Sequence, residues 1–138
     1  MRYLLDTTLL IDHAKGRHGA PGLVDRLFSE ANDLLTCDVV VAESISGGDD
    51  DEVAVVASLV GALEYVSTHP EAARWVGRSR RTREATGRRS LADAIIAGIA
   101  TDLDATVVTR NPRDFERLGV RVLGYGDRPS ERREVTTP

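Results

Sequence analysis

Apolar positions along this chain change period repeatedly. Short continuous runs give way to stretches in which every third or fourth residue is apolar. Arg2–Leu5 and Ala105–Thr109 are runs too short for helices and predict buried strands. Asp33–Thr36 and Val120–Leu123 predict two more. Between them the period is helical. A helix through Thr8–Lys15 stops at Gly16, and Leu23, Leu27 and Phe28 set a second from Pro21 to about Ala31. Asp38 to Ser46 reads as a third, with Asp38 as its cap and Gly47-Gly48 as its stop. The acidic run Asp49–Glu52 suits the positive end of a helix dipole. That helix turns Val53, Val56, Leu59, Val60 and Leu63 inward and lasts until His69-Pro70. An arginine-rich helix holding Trp75 then runs to about Gly87, an apolar helix from Ser90 to Leu103, and a short one from Pro112 to Leu118.

Strands alternating with helices predict a central, mostly parallel sheet covered on both faces, a three-layer α/β/α sandwich. Residues 1–125 form one domain in this reading. Residues 126–138, polar and poor in apolar positions, form a tail. The 138-residue length supports one domain with a substantial core.

Composition is ordinary, at 41% hydrophobic and 29% charged with a net charge of −4. No apolar run approaches the length of a membrane span, and Asp6 breaks the N-terminal run before it resembles a leader. A lone cysteine, Cys37, excludes an internal disulfide and fits the reducing cytoplasm; it reads as a buried, inert thiol. Positive charge is uneven and almost all arginine, Lys15 being the single lysine. Arg78, Arg80, Arg81, Arg83, Arg88 and Arg89 crowd one segment. Planar guanidinium groups suit bidentate phosphate contacts, although such a run can also be a solvated helix face.

Four carboxylates stand where the chain leaves a strand or opens a helix: Asp6, Glu43, Asp93 and Asp114. Asp93 follows Ser90 by three residues and Asp114 follows Asn111 by three, so each also fits a helix start. Asp6 and Glu43 lie among apolar residues, where capping does not account for them. Ligands of parallel sheets gather outside the carboxyl ends of the strands, the edge on which Asp6 and Asp114 fall. Converging acids repel one another and favour a divalent cation. Oxygen-only ligands suit Mg²⁺, with Mn²⁺ able to substitute, over zinc. Thr7 and Thr8 can hold the Asp6 carboxylate, and Thr109 and Asn111 can support it across the sheet edge.

The stretch Tyr3–Asp12, then Glu43, then Leu91–Ala97, then Val107–Phe115 resembles a PIN domain. More narrowly it is similar to the VapC-type toxins of bacterial toxin–antitoxin pairs, over nearly the whole chain from Arg2 to Leu123. Thr8 stands where such proteins usually carry Asn or Ser, and it retains a hydroxyl. The resemblance implies a Mg²⁺-dependent endoribonuclease acting on structured cellular RNA, silenced by a cognate protein antitoxin and forming a homodimer. It makes Asp6, Glu43, Asp93 and Asp114 the metal-binding, catalytic acids. The arginine segment would then grip the RNA backbone.

Two other classes share part of this pattern. Aspartate-based phosphatases also place an Asp after the first strand, but they require a second acid two residues on, where Thr8 stands, and a lysine near the phosphate. A non-catalytic binding module would use the acids as caps and show no stabilisation by Mn²⁺.

Overall fold

The structure is a computed structural model that describes residues 1–30, 32–82 and 90–126. Its order is β1 (Arg2–Leu5), α1 (Thr7–Lys15), α2 (Ala20–Ser29), β2 (Asp33–Cys37), α3 (Asp38–Ile45), α4 (Asp50–Gly61), β3 (Glu64–Val66), α5 (Pro70–Thr82), α6 (Leu91–Leu103), β4 (Thr106–Thr109), α7 (Pro112–Glu116) and β5 (Val122–Gly124). The strands form one sheet in the order β3-β2-β1-β4-β5. Every pairing is parallel, with Leu4 opposite Leu35 on one side and Val107 on the other.

Apolar runs bury β1 and β4 on both faces, Leu4, Leu5, Val107 and Val108 being fully inaccessible. Their cover comes from Leu9 and Leu10 of α1, Ile96 and Ile99 of α6, and Phe115 of α7. Helices α1, α2 and α4 pack together, as do α5, α6 and α7, while α3 touches both groups. This is the expected three-layer arrangement. Among the described residues no helix is long and apolar enough to cross a membrane.

The chain ends its helices where the sequence supplies the chemistry. Gly16 takes the left-handed conformation (φ 66°), and the N–H groups beyond α1 reach the carbonyls of Asp12 and His13. Asp49 and Glu52 form a reciprocal capping box at α4, so the acidic run is structural. Ser90 caps α6 by accepting the Asp93 N–H.

Three expectations differ from the structure. The helix read as continuous to His69-Pro70 stops at Gly61, and Glu64–Val66 form a parallel edge strand on β2. Three residues with exposed Glu64 and Tyr65 carry too little apolar pattern to announce a strand. Asp38 is the first residue of α3 rather than its cap, which is Cys37. Its carboxylate instead accepts the backbone N–H and hydroxyl of Thr68 as well as the Val39 N–H, tying α3 to the segment after β3. Asn111 precedes α7 without a side-chain capping bond. The end of the second helix at Ala31, the arginine helix beyond Thr82 with Gly87, and the tail from residue 127 onward lie outside the described residues.

Candidate active site

In a parallel sheet every strand ends at the same edge; a helix that directly follows a strand starts there, and a helix that leads straight into the next strand runs back from there. Asp6 follows β1, Glu43 lies on α3 after β2, Asp93 opens α6 before β4, and Asp114 opens α7 after β4. The topology therefore places all four sequence-predicted acids along the carboxyl edge.

Asp6 is the most deeply set, at 4% exposure. Thr109 Oγ1 donates to Asp6 Oδ2 at 2.8 Å, and Thr8 Oγ1 donates to the same oxygen at 3.1 Å. Burial pushes the Asp6 carboxyl above its ordinary range; the hydroxyls of Thr109 and Thr8 and the Thr7 N–H oppose this, and the nearby Glu43 charge adds to it. Its donors among the described residues are neutral, so a carboxylate here bears repulsion from Glu43 on top of its desolvation.

Both threonine hydroxyls are themselves held. The Asn111 N–H donates to Thr109 Oγ1 at 3.0 Å, and the Arg110 N–H donates to Thr8 Oγ1 at 3.1 Å. Thus the turn after β4 grips the two hydroxyls that grip Asp6. Thr109 supports Asp6 as the sequence predicts. Asn111 does so through its backbone, its side chain being exposed. Thr7 holds Asp6 through its backbone N–H, while its hydroxyl donates to Glu43 Oε1 at 2.7 Å.

Asp6 and Glu43 are thereby brought together. Among the described residues no group of three or more His, Cys, Asp or Glu side chains already stands close enough to hold one ion. A two-carboxylate pair still fits Mg²⁺, which binds through one or two carboxylates and keeps several waters or substrate oxygens. The all-oxygen donor set and, among the described residues, the neutral donors on Asp6 favour the same ion class.

Lys15 is committed to Glu52 at 2.7 Å on the last turn of α1, so it does not serve as the phosphate lysine of an aspartate-based phosphatase. Cys37 is buried, and that burial pushes its thiol up to about 11, which makes it inert. On α5, Arg78, Arg80 and Arg81 are exposed, and that helix packs along α6, which carries Asp93. Arg83, Arg88 and Arg89 lie outside the described residues.

Sequence reasoning passed over Asp12. It is 4% exposed, and its Oδ2 accepts from Arg110 Nε at 2.9 Å and from the Tyr125 hydroxyl at 2.8 Å. The available signal was the one that exposed Asp6, an acid framed by apolar residues, here Leu9-Leu10-Ile11 and Ala14.

A family model for the PIN domain matches residues 3–120. This chain belongs to the PIN domain family. It is similar to the ribonuclease VapC19 of Mycobacterium tuberculosis, 29% identical over 113 residues that cover 81% of this chain and 90% of the relative. Its fold matches VapBC2 from Rickettsia felis, solved bound to a DNA fragment from their promoter, with a TM-score of 0.77 and 21% identity over 91% of this chain and 99% of that one. It also matches Mycobacterium tuberculosis VapC20, described as a sarcin–ricin loop cleaving toxin, with a TM-score of 0.60 and 15% identity over 76% and 86% of the two chains. At these identities the solved structures establish the PIN fold, and the edge that carries Asp6 is the carboxyl edge of a PIN-domain sheet.

Proposed function

We propose that this PIN domain is a divalent-metal-dependent endoribonuclease, the toxin of a toxin–antitoxin pair, and that it hydrolyses phosphodiesters of structured cellular RNA. The observation that carries this reading is Asp6: a buried carboxyl at the end of β1, held by two neutral hydroxyls, with a second carboxylate beside it. The ribonuclease VapC19 supplies the reaction class and the sarcin–ricin loop cleaving toxin the substrate class.

Asp6 and Glu43 would hold the cation, Mg²⁺ or Mn²⁺, with Asp93 and Asp114 completing the set from the first turns of α6 and α7. Such an ion supplies Lewis-acid polarisation of the phosphodiester and a more acidic water. Thr109 and Thr8 fix the Asp6 carboxylate, and Thr7 fixes Glu43, so the acids keep their geometry without substrate. Arg78, Arg80 and Arg81 of α5, continued by Arg83, Arg88 and Arg89, supply phosphate contacts that an acidic chain otherwise lacks.

The solved VapBC relative makes a protein antitoxin the partner. Phe28 on α2 and Ile45 on α3, both exposed, provide apolar surface for a homodimer. The single inert thiol suits the cytoplasm. Residues 1–125 would act as one domain, with 126–138 as a tail.

The test is cleavage of total cellular RNA by the purified, partner-free chain with Mg²⁺ or Mn²⁺, with EDTA, and with Asp6→Asn. Discrete fragments that need metal and vanish in the variant are expected. Cleavage that survives Asp6→Asn would remove Asp6 from the centre of the site. A folded protein that neither cleaves nor is stabilised by Mn²⁺ would instead be a binding module.

A further inference from the structure

The Asp6 carboxyl depends on the turn that leaves β4 at Thr109, and Arg110 and Asn111 of that turn lie outside any strand or helix. Thr109 Oγ1 acts on Asp6 directly, the Arg110 N–H through Thr8, and the Asn111 N–H through Thr109. Something must fix this turn relative to α1, since Asp6 and Thr8 belong to the start of that helix.

We propose that Asp12, Arg110 and Tyr125 form a clamp that fixes this turn on α1, which makes Asp12 and Tyr125 positioning residues of the active site. The clamp joins three separate segments. Asp12 comes from the second turn of α1, Arg110 from the turn itself, and Tyr125 from the chain just after β5. Arg110 Nε and the Tyr125 hydroxyl converge on one oxygen, Asp12 Oδ2, at 2.9 and 2.8 Å. The Asp12 side chain is only 5% exposed and that of Arg110 31%, so the pair is shielded from water and salt in a way surface pairs are not.

The backbone closes the arrangement from the other side. The Tyr125 N–H donates to the Thr109 carbonyl at 3.3 Å, extending the β4–β5 pairing onto the turn. Gly126 has φ +70°, and a Cβ there would stand 2.9 Å from His18 Cβ and 3.3 Å from Arg110 Cδ. Arg110 is therefore enclosed between the Asp12 carboxylate and the Gly126 backbone. Its guanidinium is engaged inward, so Arg110 acts as a strut and not as a phosphate ligand.

This inference rests on the proposed nuclease reading for its catalytic consequence, but its structural half does not. The experiment measures hydrogen exchange of the Arg110 amide by NMR in the full chain, wild type against Tyr125→Phe, Asp12→Asn and Arg110→Lys, with the Val107 amide of β4 as internal control. Mn²⁺ titrations followed by thermal shift and rates of ribosomal RNA cleavage accompany it. Each variant is expected to speed Arg110 exchange about tenfold while Val107 is unchanged, a charge-assisted bond being lost. The Mn²⁺ concentration for half-maximal stabilisation should rise, and the cleavage rate should fall about tenfold with the half-saturating RNA concentration unmoved. Tyr125→Phe removes one hydroxyl from a partly buried site, so it keeps the test open where Asp12→Asn fails to fold.

Unchanged Arg110 exchange in folded Tyr125→Phe would overturn the clamp. So would an Arg110→Lys variant that keeps wild-type exchange and loses only RNA affinity, since that marks a direct phosphate contact. Wild-type protein that cleaves no RNA would defeat the nuclease reading alone, and the exchange result would still decide the clamp.

Discussion

Asp6 shows how one residue carries a thermodynamic cost that a ligand can relieve. Burial raises its carboxyl above the ordinary value of 3.8. Between the unfolded and folded values the native chain holds a proton that the unfolded chain has released, so stability falls as pH rises through that window and stays reduced above it. Asp6→Asn removes this penalty while keeping an oxygen for Thr109 and Thr8. In metal-free buffer its melting temperature at pH 7 should exceed that of the wild type, and the gain should shrink as pH falls toward 4. An Asn variant less stable at pH 7 would mean that the hydroxyl bonds outweigh the cost of burial. Thr109→Val keeps the shape and removes the hydroxyl that bonds Asp6 and the Asn111 N–H. A loss of about 1–3 kcal/mol in urea unfolding is expected, because the buried Asp6 carboxyl and the Asn111 N–H both lose a partner. Asp6 was legible in the sequence because a charge interrupted an apolar run. Asp12 obeyed the same rule but sat inside a helix, where a polar residue usually points to solvent.

Elements are set by their ends and their closest approaches. The Asp49–Glu52 box fixes where α4 begins, and Asp49→Ala should cost about 1 kcal/mol in denaturant unfolding without altering the acids of the sheet edge. Helices α5 and α6 meet at Gly98, where an added Cβ would lie 3.0 Å from the Ala72 carbonyl oxygen and from Val76 Cγ2. Alanine there gains helix propensity of about 1 kcal/mol, yet a backbone oxygen gives way poorly, and overpacking costs about 1–3 kcal/mol. Gly98→Ala is therefore expected to lower the melting temperature and to weaken RNA binding by shifting the arginine helix. A stabilised variant would show that α5 can slide freely. The helix around Gly98 was legible from its unbroken apolar pattern. The strand Glu64–Val66 was not, since exposed Glu64 and Tyr65 hide it and only hydrogen bonding to β2 makes it a strand.

At the scale of the whole molecule, an all-parallel sheet brings acids from distant segments to one edge, and repulsion between them is what a cation offsets. Mn²⁺ should raise the melting temperature of the wild type, EDTA should reverse the gain, and Asp6→Asn should abolish it. A shift that persists in the variant would place the ion elsewhere. The sequence by itself determined most of the alternation of strands and helices and the parallel sheet, because each follows from local periodicity and from where strands end. Tertiary structure alone decided which donor serves which acid: Thr7 to Glu43, Thr8 and Thr109 to Asp6, Arg110 and Tyr125 to Asp12. Those partners lie up to 113 residues apart. Their bonds depend on packing distances of a few tenths of an ångström, which no pattern along a chain encodes.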